Sequence, residues 1–340
     1  MKLLIIILVM VKNIFGTDGI TSATSKVDSK EVMFYKKFSD KKTQCLVCFR
    51  GCVIPEGERG VCYNRKNIGG ILYNIVYSKP SAVQIDPVEK EPLYHFLPSS
   101  KILCIGTAGC NFKCKHCHNW HLSQQKIEDM QYYVLSPQEV VNLAKKNKTP
   151  TISFTYNDPI SFYEYMYDIA KIAKEHGVRV VWHTNASIRE EPLKEMLKCT
   201  DAMTVDLKGF TEEFYRNQSL AELRPVLETL KIIRQHKVWL EVVNLVIPTL
   251  NDNPHDIKSM CEWIRENLGD EVPLHFTRFY PTYKTTQLPP TPVETLEKAY
   301  SIAKEVGLKY VYIGNVPGHK YNSTYCPKCR KRLIYRIHFG

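Results

Sequence analysis

From residue 101 onward, short runs rich in β-branched and aromatic residues alternate with longer amphipathic runs, and this alternation strongly restricts the fold. The short runs predict strands at residues 102–106, 151–156, 178–183, 202–207, 239–247, 274–279 and 310–314. The long runs predict helices at 136–146, 161–176, 191–198, 220–236, 254–268 and 292–306. Strict alternation implies a parallel sheet with right-handed crossovers. Six βα units and a final strand are too few for a closed eight-stranded barrel, so we expect an α/β fold built as an open, partial (β/α)6 TIM-like barrel.

Capping residues mark the ends of several predicted helices. Ser136 and Thr291 each precede a proline and are the expected N-caps of the first and last helices. A glycine often ends a helix in the left-handed conformation. Three glycines follow predicted helix ends: Gly177, Gly269 and Gly307.

Three cysteines stand close together directly after the first predicted strand. Cys110, Cys114 and Cys117 have the spacing C-x3-C-x2-C. Three thiolates bind three irons of a cubane 4Fe–4S cluster, whose usual cysteine complement is four, so one iron stays open for chemistry. The alternative is a zinc knuckle, which normally has paired C-x2-C units and four ligands. Active sites of βα barrels lie at the carboxyl ends of the strands, where this loop falls.

Six further cysteines form two groups: Cys45, Cys48, Cys52 and Cys62 near one end of the chain, and Cys326 and Cys329 near the other. The first group is a complete four-ligand set, and a site that combines Cys45 and Cys48 with the C-terminal pair fits the ligand count equally well. We expect a second metal site with a structural or electron-relay role, and structural zinc is favoured over an auxiliary iron–sulfur cluster. Three isolated cysteines are expected in the core: Cys104, Cys199 and Cys261.

Composition is that of an ordinary globular protein, with 44% hydrophobic residues among 340 and a net charge of +11. Such a charge admits a polyanionic partner such as RNA. The basic residues are dispersed except at residues 328–332, so a solvated basic surface is favoured and nucleic acid has no firm support. The chain contains no G-x-G-x-x-G or G-x-x-x-x-G-K-[ST] motif, so nicotinamide or ATP binding has no support either.

We expect four parts in the chain: a leader at 1–31, a cysteine-bearing N-terminal module at 32–100, a core at 101–314, and a C-terminal C-P-x-C knuckle with a basic tail at 315–340. The leader begins MKLLIIILVMV, which resembles a signal-peptide core and is short for a membrane span. A signal, a retained membrane anchor and an over-extended reading frame all remain open. Short C-x2-C units point to metal rather than disulfides, and oxygen-sensitive clusters rarely suit export, so we favour the cytoplasm.

The central cysteine spacing resembles the signature of radical S-adenosylmethionine (SAM) enzymes, and the following His118 and Asn119 are similar to the ending found in pyruvate formate-lyase activating enzymes. Further stretches look like one subgroup, the radical SAM component of the AmmeMemoRadiSam system: residues 45–52, 57–62, 86–96 and 315–319. The resemblance covers about residues 34–335 and implies the same partial barrel.

The resemblance also implies residues that contact SAM at strand ends: Asn157 and Asp158, Thr184 and Asn185, Asp206 and Lys208, and His275. Asp158 stands in the acidic position of a Gly-Gly-Glu-Pro element. Asp206 and Lys208 match an Asp-x-Lys element, and side chains two apart on a strand point the same way. Asn244 interrupts an apolar strand and needs a partner, for which SAM is a candidate. The structural alternatives are a helix start, a buried ion pair and a core histidine.

Two aromatic positions complete the expected pocket. His116 stands where the family usually has an aromatic residue before the third cysteine, and Trp120 is a nearby apolar wall.

The implied activity is reductive cleavage of SAM by the cluster to methionine and a 5′-deoxyadenosyl radical, which abstracts hydrogen from a protein or small-molecule substrate. The implied partners are an electron donor such as flavodoxin or ferredoxin, and other AmmeMemoRadiSam components. An RNA-modifying radical SAM enzyme and a non-enzymatic metal-binding or electron-transfer protein are the alternatives. The strand-end polar residues argue against the last of these, because an electron carrier needs no SAM pocket.

Overall fold

The computed structural model of the protein describes residues 29–337. The predicted leader therefore lies outside the described residues, apart from its last three positions. Among the described residues, every helix is too short or too polar to span a lipid bilayer.

Two small antiparallel sheets precede the main sheet. Their strands are β1 (Lys30–Glu31), β2 (Tyr35–Lys37), β3 (Thr43–Cys45), β4 (Val53–Ile54), β5 (Arg65–Ile68) and β6 (Ile71–Asn74). Strands β2, β3 and β4 form one sheet in that order, and β6 lies between β1 and β5 in the other. The tight turn between β5 and β6 uses Gly69 and Gly70, with φ of 63° and 85°, which glycine adopts at little cost.

Eight strands form the main sheet in the order of the sequence. They are β7 (Ala82–Pro87), β8 (Lys101–Gly106), β9 (Thr151–Phe154), β10 (Arg179–Thr184), β11 (Ala202–Asp206), β12 (Trp239–Val246), β13 (Leu274–Arg278) and β14 (Val311–Gly314). Strand β7 pairs antiparallel with β8, and every later strand is parallel to its neighbour. The seven predicted strands are therefore confirmed, and β7 is an addition.

Six longer helices connect the parallel strands: α1 (Pro137–Lys146), α2 (Tyr163–Glu175), α3 (Glu190–Leu197), α4 (Arg224–Gln235), α5 (Pro254–Asn267) and α6 (Val293–Val306). Shorter helical turns lie at Val88–Lys90, Trp120–Ser123, Ile127–Asp129, Pro159–Phe162, Glu212–Phe214, Tyr215–Ser219 and Lys320–Asn322. Helix α4 begins later than predicted, because a wide π turn precedes it and Leu220 has a left-handed φ of 50°.

Side chains alternate along each strand, so the main sheet has a face toward the helices and an opposite face. Leu103 and Ile105 of β8 belong to one buried cluster with the apolar residues of all six helices, and we call this side the helix face. Ile102 and Cys104 belong to a second cluster on the opposite side, which we call the inner face. The three isolated cysteines are buried, as predicted: Cys104, Cys199 and Cys261.

Residues 88–97 lie across the inner face. Val88 and Leu93 pack against Ile102 and Cys104, and the backbone amides of Tyr94 and His95 donate to Glu241 of β12 at 3.0 and 2.8 Å. The expected module boundary at residue 100 does not coincide with a structural boundary, because β7 belongs to the main sheet and residues 88–97 pack on its inner face.

The predicted caps have mixed outcomes. Ser136 forms a capping box with Glu139 at the start of α1, as predicted. Thr291 does not cap α6, because its hydroxyl donates to the carbonyl of Val246 at 2.6 Å and accepts from the amide of Phe279 at 2.9 Å. The three helix-ending glycines all have positive φ, as predicted: Gly177, Gly269 and Gly307.

The last two strands among the described residues, β15 (Thr324–Tyr325) and β16 (Arg332–Ile334), form a short hairpin. Cys326 and Cys329 lie in the connecting turn, where the amide of Cys326 donates to the carbonyl of Lys331 at 2.8 Å.

Candidate active site

The central cysteines lie in the loop that follows β8. Cys110 and Cys114 are buried, Cys117 is partly buried, and all three line one cavity of about 280 Å³. The other walls of this cavity come largely from residues at or beyond the carboxyl ends of β9, β10 and β11. The predicted position of the cysteine loop at this edge of the sheet agrees with the structure.

Hydrogen bonds from both sides hold the backbone of the cysteine loop. On one side Asn157 accepts from the amide of Thr107 at 2.9 Å and donates to the carbonyl of Gly109 at 2.6 Å. On the other side the amides of Lys113 and Lys115 donate to the wide turn at Tyr215–Ser219, at 3.2 and 2.8 Å. The loop is therefore fixed by protein contacts, and Asn157 acts as a positioning residue in it.

The thiols of this loop are protonated as long as no cation balances them. Burial raises the pKa of Cys110, and it raises the pKa of Cys114 to about 11 although Lys208 opposes the shift. Cys117 lies 3.1 Å from the hydroxyl of Ser123, and its pKa is also raised by burial. Metal binding at these thiols must therefore displace protons, as is general for cysteine ligands.

Asp158 connects the ends of β9 and β10. Its carboxylate accepts from the amide of Ile160 at 3.0 Å, from the hydroxyl of Thr184 at 3.2 Å and from the amide of Asn185 at 2.6 Å. Burial raises the pKa of Asp158 to about 6, and the backbone donors partly offset this. Asp158 thus starts the helical turn, as the structural alternative predicted, and also lines the cavity.

Thr184 and Asn185 form the next part of the wall. Asn185 donates from Nδ2 to Oδ1 of Asn111 at 2.8 Å, which connects the end of β10 to the cysteine loop. Thr184 accepts from the amide of Ala186 at 3.0 Å. Both residues line the cavity and hold neighbouring loops together.

A charged group of four residues closes the side of β11. Asp206 contacts Lys208 through Oδ2 at 2.8 Å and His183 through Oδ1 at 3.1 Å, and His183 also contacts Glu91 at 3.2 Å. Burial alone would raise the pKa of Asp206, but Lys208 and His183 hold it well below its usual range. Burial lowers the pKa of His183, but the carboxylates of Asp206 and Glu91 raise it more strongly, to about 10. His183 is therefore an imidazolium at neutral pH.

Two histidines of the cysteine loop add a less polar wall. Burial lowers the pKa of His116 to about 3, so its ring is neutral, and it lies 5.8 Å from the ring of Phe214. Burial also lowers the pKa of His118. Trp120 does not provide the expected wall, because it stacks on Tyr283 at the surface, with ring centroids 5.3 Å apart, outside the cavity lining.

The structure does not bring Asn244 to the cavity. Its neighbours Val243 and Leu245 line the cavity, so alternation turns Asn244 toward the helix face. There its Nδ2 donates to the carbonyl of Leu207 at 2.7 Å. Its Nδ2 therefore has a backbone partner in place of the expected ligand, while its buried Oδ1 has no hydrogen-bond partner among the described residues.

His275 is also outside the cavity lining. It lies on the inner face two positions before Thr277, which is the β13 residue that lines the cavity. Its Nε2 contacts Glu241 at 2.7 Å, and both side chains are buried. His275 therefore matches the structural alternative of a satisfied core histidine.

Sequence reasoning missed several residues that line the cavity: Lys90, Pro92, His183, Val243, Leu245, Thr277 and Asn315. Strand parity was the available signal for three of them. Asp206 of β11 faces the cavity and pairs in register with Val243 of β12, and Leu245 of β12 pairs with Thr277 of β13. Val243, Leu245 and Thr277 therefore lie on the same face of the sheet as Asp206.

The outer cysteines lie in two separate places. Cys45, Cys48, Cys52 and Cys62 line a second cavity beside the cysteine loop. Cys326 lines a different one, between α6, β14 and the C-terminal hairpin. The structure does not assemble the mixed site of Cys45 and Cys48 with the C-terminal pair.

Comparison with known proteins gives one family. Residues 104–264 match the model described as "Radical SAM superfamily". The chain is 48% identical over 311 residues to the uncharacterized protein MJ0808 of Methanocaldococcus jannaschii, covering 92% of each chain. It is 24% identical over 224 residues to the pyruvate formate-lyase 1-activating enzyme of Escherichia coli, covering 60% of this chain and 89% of the relative.

Among solved structures, SuiB of Streptococcus suis bound to S-adenosylmethionine aligns with a TM-score of 0.49 at 11% identity. The alignment covers 64% of this chain and 51% of that one. A domain of a pyruvate-formate lyase-activating enzyme from Bacteroides vulgatus aligns with a TM-score of 0.43 at 16% identity, covering 48% of this chain and 98% of that one.

Proposed function

The chain belongs to the radical SAM superfamily, and from this premise we propose that it cleaves SAM reductively at a 4Fe–4S cluster held by Cys110, Cys114 and Cys117. The observation that carries the proposal is the shared cavity: three thiols and a group of opposite charges, Asp206 and Lys208, line the same walls. A cluster held by three cysteines keeps one iron free for a ligand. The charged groups next to it supply the hydrogen bonds that a zwitterionic ligand requires.

The residues present fit the cluster. Their thiols are buried on a loop fixed by hydrogen bonds, and soft sulfur ligands in such a setting suit iron–sulfur clusters. When bound, the cluster supplies one electron to the sulfonium of SAM, which yields methionine and a 5′-deoxyadenosyl radical. The role of the protein itself is to position the two reacting molecules and to exclude competing hydrogen donors.

Asp206 and Lys208 are proposed to contact SAM directly. Asp206 is 28% exposed and Lys208 18% exposed at the side chain, and both face the cavity. Asp158 has a different proposed role, since its carboxylate already accepts from three groups of the surrounding loops. We assign it, with Asn157, Thr184 and Asn185, to holding the cavity walls in position.

The finer identity is also a proposal. Similarity to activating enzymes supports an activase-like oxidoreductase that abstracts hydrogen from a protein or small molecule. The stretches at residues 45–52, 57–62, 86–96 and 315–319 support membership of the AmmeMemoRadiSam subgroup, with its other components as partners. A low-potential donor such as flavodoxin or ferredoxin would supply the electron.

The domain organisation is a proposal as well. Seven sequential parallel strands with six connecting helices on one face support a partial (β/α)6 barrel. The two small N-terminal sheets and the C-terminal hairpin support a cysteine-bearing module and a knuckle. We propose the cytoplasm as the compartment, because a reactive cluster requires reducing conditions.

The proposal is tested by anaerobic reconstitution with iron and sulfide, reduction with dithionite, addition of SAM, and chromatographic detection of 5′-deoxyadenosine. Wild-type protein is expected to form it, and Cys110→Ala is expected to form none. Cys261→Ala is the matched control, because this cysteine is buried in α5 away from the cavity. Wild-type yields of 5′-deoxyadenosine from Cys110→Ala would refute the assignment.

A further inference from the structure

Four cysteines of the N-terminal sheets meet at one enclosed cavity. Cys45 ends β3, Cys48 and Cys52 lie in the loop before β4, and Cys62 precedes β5. The amide of Cys45 donates to the carbonyl of Cys52 at 3.0 Å, which folds this loop back on its strand. All four line a cavity of about 20 Å³.

The main sheet closes this cavity from the other side. Asn111, Ile160 and Ser161 belong to its lining. Gly109 touches the N-terminal loop so closely that a Cβ atom there would lie 2.2 Å from the carbonyl oxygen of Cys62. Asn64 donates to the carbonyl of Ala108 at 2.7 Å across the same contact. The four-cysteine cavity therefore lies directly beside the loop that carries Cys110.

Two groups match four cysteine ligands by count: a tetrahedral zinc ion and a cubane 4Fe–4S cluster. Zinc has no redox chemistry, whereas an iron–sulfur cluster transfers electrons.

The position of the cavity favours the redox-active group. Asn111 lines the four-cysteine cavity and directly follows Cys110, which lines the cavity of the central cysteines. A group bound by the four cysteines therefore lies beside a second set of thiols that suits an iron–sulfur cluster.

We propose that Cys45, Cys48, Cys52 and Cys62 bind a second 4Fe–4S cluster with complete cysteine ligation. Four cysteines are the usual complement of such a cluster. No iron would remain open to SAM at this site, in contrast to the cluster at the central cysteines. This assignment replaces the expectation that structural zinc is favoured, and it does not rest on SAM cleavage.

Positive charge at the cavity supports an anionic occupant. Arg65 and Arg50 line it. Glu164 balances the charge of Arg65, whereas Arg50 donates to the backbone carbonyls of Asn111 and Leu220 and forms no ion pair within residues 29–337. The ammonium of Lys113 lies 3.8 Å from the ring centroid of Tyr63 and makes no hydrogen bond with the described residues. A cluster bound by four thiolates carries net negative charge, and burying such an anion is costly without nearby cations.

The test uses the full-length chain with Cys110, Cys114 and Cys117 all replaced by Ala, purified anaerobically without added iron or sulfide. We expect about four irons and about four sulfides per chain, because each cubane contains four of each. We also expect an electron paramagnetic resonance signal on reduction with dithionite that SAM does not change. Adding Cys48→Ala to this variant should remove both the iron and the signal.

Two controls distinguish loss of a ligand from loss of the fold. Cys326→Ala in the same background should keep all the iron, because Cys326 lines a separate cavity. Far-ultraviolet circular dichroism should show the same helix content for every variant compared. If the Cys48→Ala variant unfolds, Cys48→Ser replaces it.

The remaining outcomes overturn the proposal. About one zinc per chain without sulfide would make the site structural zinc, and iron lost on Cys326→Ala would place the C-terminal pair in the site. Absence of any metal from the folded triple variant would leave four free thiols. Failure of the wild type to cleave SAM would refute the proposed function but would leave this result unaffected.

Discussion

The two cysteine cavities lie side by side, yet they differ in size and in the polar groups that surround the thiols. The cavity of Cys110, Cys114 and Cys117 measures about 280 Å³ and is shared with Asp206, Lys208 and His183. The cavity of the four N-terminal cysteines measures about 20 Å³. Three thiols with room beside them suit a reacting ligand, whereas four thiols in a closed space suit a group that only needs to be held.

The two cavities are separated by the loop around Cys110. Gly109 stands one residue before Cys110 and packs on the carbonyl of Cys62. Asn111, one residue after Cys110, lines the closed cavity and accepts from Asn185 at the open one. The two cavities therefore share one loop, and substitutions on either side of it can test the two sites separately.

The largest expected effect separates the sites by activity. Cys117→Ala should abolish formation of 5′-deoxyadenosine, because it removes a thiol that faces the open cavity. Cys48→Ala should keep the rate with dithionite within about tenfold of wild type, equivalent to about 1.4 kcal/mol of activation free energy. The measurement is 5′-deoxyadenosine per chain under anaerobic single-turnover conditions. Equal loss in both variants would show that the two cavities do not act separately.

The next effect concerns the shared loop. Gly109 has a φ of 76°, and a Cβ there would meet the carbonyl of Cys62 at 2.2 Å, so Gly109→Ala should reduce the free energy of unfolding by roughly 2–5 kcal/mol. Gly57 is the matched control, because its φ is 83° and nothing lies within 4 Å of the added atom. Gly57→Ala should cost about 1–2 kcal/mol. Denaturant unfolding measures the free energy of unfolding of both variants. Equal losses would mean that the close contact of Gly109 with the carbonyl of Cys62 adds nothing to the cost of the substitution.

A third effect is confined to the open cavity. Lys208→Ala and Asp206→Asn should each weaken SAM binding by about ten- to a hundred-fold, because a hydrogen bond to a charged group contributes roughly 1.5–3 kcal/mol. Asn244→Ala is the control on the opposite face of β12 and should change stability but not the dissociation constant. Calorimetric titration of the reconstituted protein with SAM measures this. Unchanged affinity in Lys208→Ala would make the ion pair structural.

The last effect is a pH dependence of stability at His183. Its pKa in the folded protein is about 10, above the usual value of about 6.5, so its stabilisation is complete below about pH 6.5. The contribution is lost as the pH rises through about 10. A pKa raised from about 6.5 to about 10 corresponds to a loss of roughly 4 kcal/mol in the free energy of unfolding between pH 6.5 and pH 10.

The comparison of wild type with His183→Gln isolates this contribution. Urea unfolding of both proteins should show that the free energy of unfolding falls more between pH 6.5 and pH 10 in the wild type than in His183→Gln. Nuclear magnetic resonance titration of the His183 ring gives a direct check, and a midpoint near 6.5 would contradict the expected pairing with Asp206 and Glu91.

The order of elements could be predicted from the sequence, and the register of individual residues could not. The periodicity of apolar residues gave all seven parallel strands, because burial on both faces of a parallel sheet leaves long apolar runs. Strand β7 was not predicted, because its pairing with β8 follows from the path of residues 82–97 across the sheet. Asn244 and His275 were placed on the right strands but at the wrong positions for the cavity.

The sequence alone determined the chemistry available to this protein. It supplied the spacing of Cys110, Cys114 and Cys117 after a strand, and the Asp-x-Lys pair whose side chains share one face of β11, because both follow from local backbone periodicity. Tertiary structure alone decided which polar groups reach the cavity. Glu241 pairs with His275, the carbonyl of Leu207 accepts from Nδ2 of Asn244, and Asp206 and Glu91 keep His183 protonated. Each of these outcomes depends on partners from other segments of the chain, since a buried polar group takes the nearest available partner in space.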